Sequence, residues 1–131
     1  MLSIKSMKTV SEKSISSIEV MKSRFIGILL PLNNADEFKS ILEGIRKEHS
    51  KARHVVYAYR NGSKSKSCDD KEPKGTAGRP LLELLYKKDL DNVALIVVRY
   101  FGGTKLGAGR LLRTYLQAGI NVVESAQIVE L

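Results

Sequence analysis

The sequence predicts an α+β fold: a two-layer α/β sandwich in which helices cover one face of a mixed β-sheet. Three observations carry this. Strand-length apolar runs alternate with segments of helical period in the order β-β-α-β-(β)-α-β-α. Val93 to Val98 (VALIVV) is apolar throughout, as expected of a strand in the middle of the core. At 131 residues the chain fits one domain and can bury about two-thirds of its unfolded surface.

Each element has its own signal. Ile15, Ile18 and Val20, then Phe25, Ile26, Ile28, Leu29 and Leu30, flank a Lys22-Ser23 turn and read as a β-hairpin. Asn34 can cap a following helix, with Glu37 three residues on and Phe38, Ile41, Leu42 and Ile45 forming one apolar stripe. Arg53 to Arg60 (RHVVYAYR) has the β-branched and aromatic content of a third strand, after which Asn61-Gly62 turns the chain. The polar run through Lys66 fits a loop or the outgoing arm of a loose hairpin. Pro80 suits the first turn of a helix that carries Leu81, Leu82, Leu84 and Leu85 and ends near Lys88. The VALIVV strand feeds a Gly-rich loop, Gly102 to Gly109, and a last helix from about Arg110 to Glu124, with Leu111, Leu112, Tyr115 and Leu116 facing the core. Residues 1–12 are expected to be a flexible N-terminus and 13–131 a single domain.

Composition narrows the setting. The chain is 43% hydrophobic and 27% charged, which is ordinary globular usage, and it lacks Trp. Cys68 stands alone among Ser65, Lys66, Ser67, Asp69 and Asp70, without a disulfide partner, as in a reducing compartment. The start lacks the apolar run of a secretion signal, and the chain lacks the roughly 18 uninterrupted apolar residues of a membrane span. A cytoplasmic protein is expected, with no membrane partner.

The net charge of +8 is concentrated. Residues 60–79 hold six basic and three acidic groups, and residues 99–113 hold four basic groups and no acidic one. An excess confined to two loop-like stretches suits an anion-recognising surface, although it also serves solubility.

The first stretch contains Asp69-Asp70-Lys71-Glu72-Pro73-Lys74-Gly75-Thr76-Ala77-Gly78-Arg79-Pro80. Three carboxylates in four residues are compatible with Mg²⁺, yet Lys71 and Lys74 compete for them and no His or acidic cluster elsewhere completes a site. A structural or partner-binding loop is favoured, with Asp69, Asp70 and Glu72 accepting backbone N–H groups or pairing with Arg, and no metal is expected. Gly75 and Gly78 allow positive φ or close approach, and Thr76 and Arg79 complete the motif loop.

The second stretch, Arg99 to Arg110, places a glycine loop between a buried strand and a helix, where backbone N–H groups favour phosphate. It matches neither a Walker loop, since Lys105 precedes Leu106, nor the dinucleotide fingerprint, since Leu112 occupies the position of the third glycine. Arg110 and Arg113 lie one helical turn apart. The candidate phosphate contacts are Arg99, Gly102, Gly103, Lys105, Arg110 and Arg113. His54 at a strand start reads as a satisfied structural histidine, and a Cys68–His54 nucleophile and base pair lacks an orienting group. No catalytic residue and no cofactor is expected.

Lys22-Ser23-Arg24-Phe25-Ile26, His54 with Tyr57-Ala58-Tyr59-Arg60, DDKEPKGTAGRP at 69–80 and RYFGGTKLGAGRLLRTY at 99–115 together resemble the N-terminal domain of the IMPACT/YigZ family, from about Lys22 to Ser125. The resemblance implies a ribosomal protein S-five domain-two-like fold and a link to translational control, in which eukaryotic members compete for the activator of a starvation-responsive kinase. Bacterial members commonly carry a second, ferredoxin-like domain, and none is expected here. With Lys71, Lys74 and Arg110, this chain is more basic at both loops than the family pattern.

Three readings follow. The leading one is a non-enzymatic, translation-linked module that binds RNA or ribosome phosphates through the Gly-rich loop. The second is a protein-interaction regulator of translational stress signalling. The third is a Mg²⁺-dependent enzyme acting on a phosphorylated or peptide substrate. All presume that the two loops lie side by side.

Overall fold

The computed structural model describes residues 6–131. Strands β1 (Lys8–Val10), β2 (Ser14–Val20) and β3 (Ser23–Pro31) lead into helix α1 (Phe38–Glu48). Strands β4 (His54–Asn61) and β5 (Lys64–Cys68), helix α2 (Gly78–Lys87), strand β6 (Val93–Tyr100), helix α3 (Ala108–Ser125) and strand β7 (Ile128–Glu130) complete the chain. Five strands form one sheet in the order β2-β3-β6-β4-β5, and β1 pairs with β7 in a separate ribbon.

The α+β class is as expected, and the VALIVV run is the central strand, buried from Val93 to Val98. Two particulars are corrected. Every pairing in the five-stranded sheet is antiparallel, so the sheet is not mixed. The strands joined through α1, β3 and β4, do run in the same direction, but β6 lies between them and opposes both.

Nor do the helices share one face. Successive residues of a strand point to opposite sides, and β6 divides accordingly. Val93, Leu95 and Val97 pack with Leu81, Leu84 and Leu85 of α2 and Tyr115, Ala118 and Val122 of α3. Ala94, Ile96 and Val98 pack with Phe38, Leu42 and Ile45 of α1. The sheet is therefore covered on both sides. The amphipathic stripe of α1 specified a buried face without specifying which side of the sheet would receive it.

Local chemistry explains the joints. The β2–β3 turn is Met21-Lys22, one residue earlier than expected, with φ of 48° and 66°; two successive positive values suit a tight hairpin. Ser23 thereby becomes the first, buried residue of β3. The Asn34 side chain accepts from the Asp36 N–H and caps a short 3₁₀ turn, Ala35–Glu37, ahead of α1. The polar run after Asn61-Gly62 is a hairpin arm, with Asn61 opposite Lys64 and Tyr57 opposite Cys68.

Within the start expected to be flexible, Lys8–Val10 pairs with β7 and buries Val10. The first five residues of that segment lie outside the described residues.

Candidate functional site

The acidic turn is organised by its carboxylates. Asp69 Oδ2 accepts the Gly75 N–H at 2.9 Å, while Oδ1 accepts those of Ala77 at 3.2 Å and Gly78 at 2.8 Å. One side chain thus closes the loop and supplies an acceptor at the start of α2. Asp70 Oδ2 accepts the Val55 N–H at 2.6 Å, tying the turn to β4. Gly78 is required there: a Cβ would stand 2.6 Å from the Cys68 backbone nitrogen.

Glu72 points inward and is almost fully buried. Its Oε2 accepts from Arg99 Nη1 at 2.7 Å and from the Tyr115 hydroxyl at 2.5 Å, and its Oε1 lies 3.3 Å from His54 Nε2. His54 Nδ1 meets the Asp70 carbonyl at 2.7 Å, so both ring nitrogens have partners. Burial, followed by the Glu72 carboxylate, pushes the Tyr115 phenol far above its ordinary range, so the hydroxyl keeps its proton and donates. Register brings these groups together, because His54 sits opposite Arg99 across the β4–β6 pair.

The glycine loop is anchored on the opposite side. Gly102 N–H donates to Ser23 Oγ at 3.0 Å, and a Cβ at Gly102 would stand 2.1 Å from the Lys22 carbonyl carbon. Gly107, at φ 79°, precedes α3, where no side chain caps the helix.

Between these segments lies a cleft of about 310 Å³. Glu72 and Pro73 of the acidic turn line it together with Arg99, Phe101, Lys105 and Ala108 of the second loop. The two loops are therefore neighbours. Arg53 and His54 also line it and are shared with an adjoining hollow beside Arg46 and His49. The Arg53 guanidinium lies 4.6 Å from the centre of the Phe101 ring. Arg99 Nε is buried without a hydrogen-bond partner.

The expected phosphate contacts separate in space. Arg99 and Lys105 reach the cleft, Arg99 buried and paired with Glu72, Lys105 exposed. Arg110 is exposed and turns to Met21 Sδ, Arg113 is exposed on the next turn of α3, and neither lines the cleft. The Gly102 amide is occupied by Ser23, whereas Gly103 is exposed at φ 94°. Gly75 has φ 78°, Thr76 donates to the Pro73 carbonyl at 2.5 Å, and Arg79 pairs with Glu83 at 3.0 Å.

Sequence reasoning missed Arg53, whose only local mark was its place beside His54. Among the described residues, no group of three or more His, Cys, Asp and Glu could hold a metal ion. Cys68 Sγ accepts from the Asp70 N–H at 3.4 Å and is not paired with His54. No helix among the described residues is long and apolar enough to cross a membrane.

The model of the Impact N-terminal domain matches residues 21–123. IMPACT family member YvyE of Bacillus subtilis is 44% identical over 110 residues, covering 82% of this chain and 51% of the relative. YigZ of Escherichia coli is 39% identical over 108 residues, covering 79% and 52%. Protein IMPACT of Rattus norvegicus is 34% identical over 95 residues, covering 68% and 30%. A crystal structure of a hypothetical protein superposes on 98% of this chain and 65% of its own, with a TM-score of 0.91 and 30% identity. The chain spans about half the length of the bacterial relatives it matches. With the family model spanning both loops and strands β3 to β6, this chain belongs to the Impact N-terminal domain family.

Proposed function

We propose that this domain is a translation-linked binding module that holds RNA phosphates in the cleft at the start of α3. The observation that carries the reading is the buried Arg99 at the cleft, with an unpartnered Nε, beside an uncapped helix N-terminus. Such a helix end carries about half a positive charge and free N–H groups. Exposed Arg53 and Lys105 add cations to the cleft lining, and exposed Arg110 and Arg113 extend the basic surface along α3. Arg99 acts from below: Glu72 fixes its Nη1, and the side chain lines the cleft. The translational setting rests on what the family resemblance implies.

The carboxylates support binding rather than catalysis, since Asp69, Asp70 and Glu72 hold backbone amides, Arg99, Tyr115 and His54. Titration of a fluorescent single-stranded RNA at two salt concentrations tests the reading. Four phosphate contacts to a single strand give a log–log slope near about −3. Absent or salt-independent binding removes the proposal.

A further inference from the structure

A second surface lies on the outer side of α2 and α3, away from the phosphate cleft. The two helices run in the same direction: Glu72, ahead of α2, meets Tyr115, and Gly119 lies farther along against Leu81 and Leu84. Gly119 permits that approach, since a Cβ would stand 2.9 Å from Leu81 Cδ2. Beside that contact, residues of both helices line an open groove of about 600 Å³.

Its walls repeat turn by turn. Pro80 and Leu84 line one side, and Leu112, Leu116 and Ile120 the other. Residues four apart on a helix lie about 6 Å apart along its axis. The groove therefore offers apolar seats at the spacing of one face of another helix. Leu112, which the sequence assigns to the core, is 37% exposed here, a large apolar side chain left facing solvent.

The rim selects the charge of the occupant. Arg79 is paired with Glu83, whereas Lys87 and Lys88 have no ion-pair partner among the described residues, against a single further carboxylate, Glu124. A second copy of this chain would bring the same lysines and the same net +8, so self-association sets like charges against each other. RNA has no complement to a floor of leucines. We infer that this groove binds an amphipathic helix of a partner protein, with apolar residues at i, i+4 and i+7 or i+8 and carboxylates on its polar flanks. The inference stands independently of the phosphate cleft.

Two synthetic peptides of about 16 residues, roughly four helical turns, test it on the whole chain. They share their leucine positions and carry either Glu or Lys at the polar ones. In amide NMR titrations, the Glu peptide is expected to shift residues along α2 and α3. It should bind at least about tenfold more tightly than the Lys peptide, because like charges oppose the latter. Leu112→Asn, a neutral change at an exposed position, should abolish binding while leaving RNA affinity unchanged. Lys87→Glu with Lys88→Glu should reverse the preference.

Three results overturn the inference: no groove shifts at millimolar peptide, equal binding of the two peptides, or shifts confined to Arg53 and Lys105 and lost in Arg53→Ala. A concentration-dependent dimer that disappears in Leu112→Asn would also overturn it, assigning the face to a second copy.

Discussion

Arg99 and Glu72 are 27 residues apart in the chain, yet their side chains meet at 2.7 Å inside the protein. One belongs to the strand that feeds the glycine loop, the other to the acidic turn, so this pair fastens the two loops into one structure. Glu72 also receives Tyr115 from α3, which adds a third element to the junction. A single buried carboxylate therefore joins three elements around the cleft.

Glu72→Gln keeps the shape but leaves the Arg99 charge buried without its partner. Removing one member of such a pair costs about 3–5 kcal/mol, and urea unfolding should show a loss in that range. Adding Arg99→Met should recover much of it, because neither charge then remains desolvated. Simple additivity of the two losses would show that the side chains act independently.

The Asp69 loop should fail differently. Asp69→Ala strips acceptors from the N–H groups of Gly75, Ala77 and Gly78. The expected loss is at least about 2 kcal/mol, since each buried orphaned donor costs about 1–3 kcal/mol unless water replaces the acceptor. Hydrogen exchange at those amides should accelerate more than in the β6 core. Uniform acceleration across the molecule would contradict a local fastening role.

Much of this architecture was legible because it is written in periodicity. The VALIVV run gave the central strand, and the Phe38, Leu42, Ile45 stripe gave α1. Strands β1 and β7 left no comparable signal: each has three residues and exists by pairing with the other across the length of the chain. The motif loops were also readable, but Arg99 is buried because of register, opposite both Phe25 and His54, which no local pattern reveals. The same limit hid Arg53, brought to the cleft when its N–H donates to the Arg99 carbonyl at 2.8 Å.

Tyr115 should give the alkaline limb of stability a recognisable slope. Its folded pKa is raised above the ordinary 10.0 by burial and by Glu72, so the native state holds this proton more tightly than the unfolded chain. Its contribution is fully present below that ordinary value and declines as pH rises above it, where only the unfolded phenol ionises readily. Tyr115→Phe should cost about 1.5–3 kcal/mol at neutral pH, the range for a hydrogen bond to a charged group. The gap between wild type and variant should narrow on titration into alkali. A pH-independent gap in chemical unfolding would show that the hydroxyl has no linkage to folding.

Charge removal at the cleft should change the salt dependence of RNA binding as well as its strength. Arg53→Ala and Lys105→Ala each delete one exposed cation at the cleft. Each lost single-strand phosphate contact should flatten the log–log salt slope by about 0.7. The effect should be similar for RNAs of different sequence, because phosphates carry no base identity. Lys39→Ala, exposed on α1 outside the cleft lining, removes the same charge and serves as the control. If all three variants lowered affinity equally and left the slope alike, the +8 charge would be acting as a diffuse field. A slope that falls only for Arg53→Ala and Lys105→Ala requires discrete contacts at the start of α3.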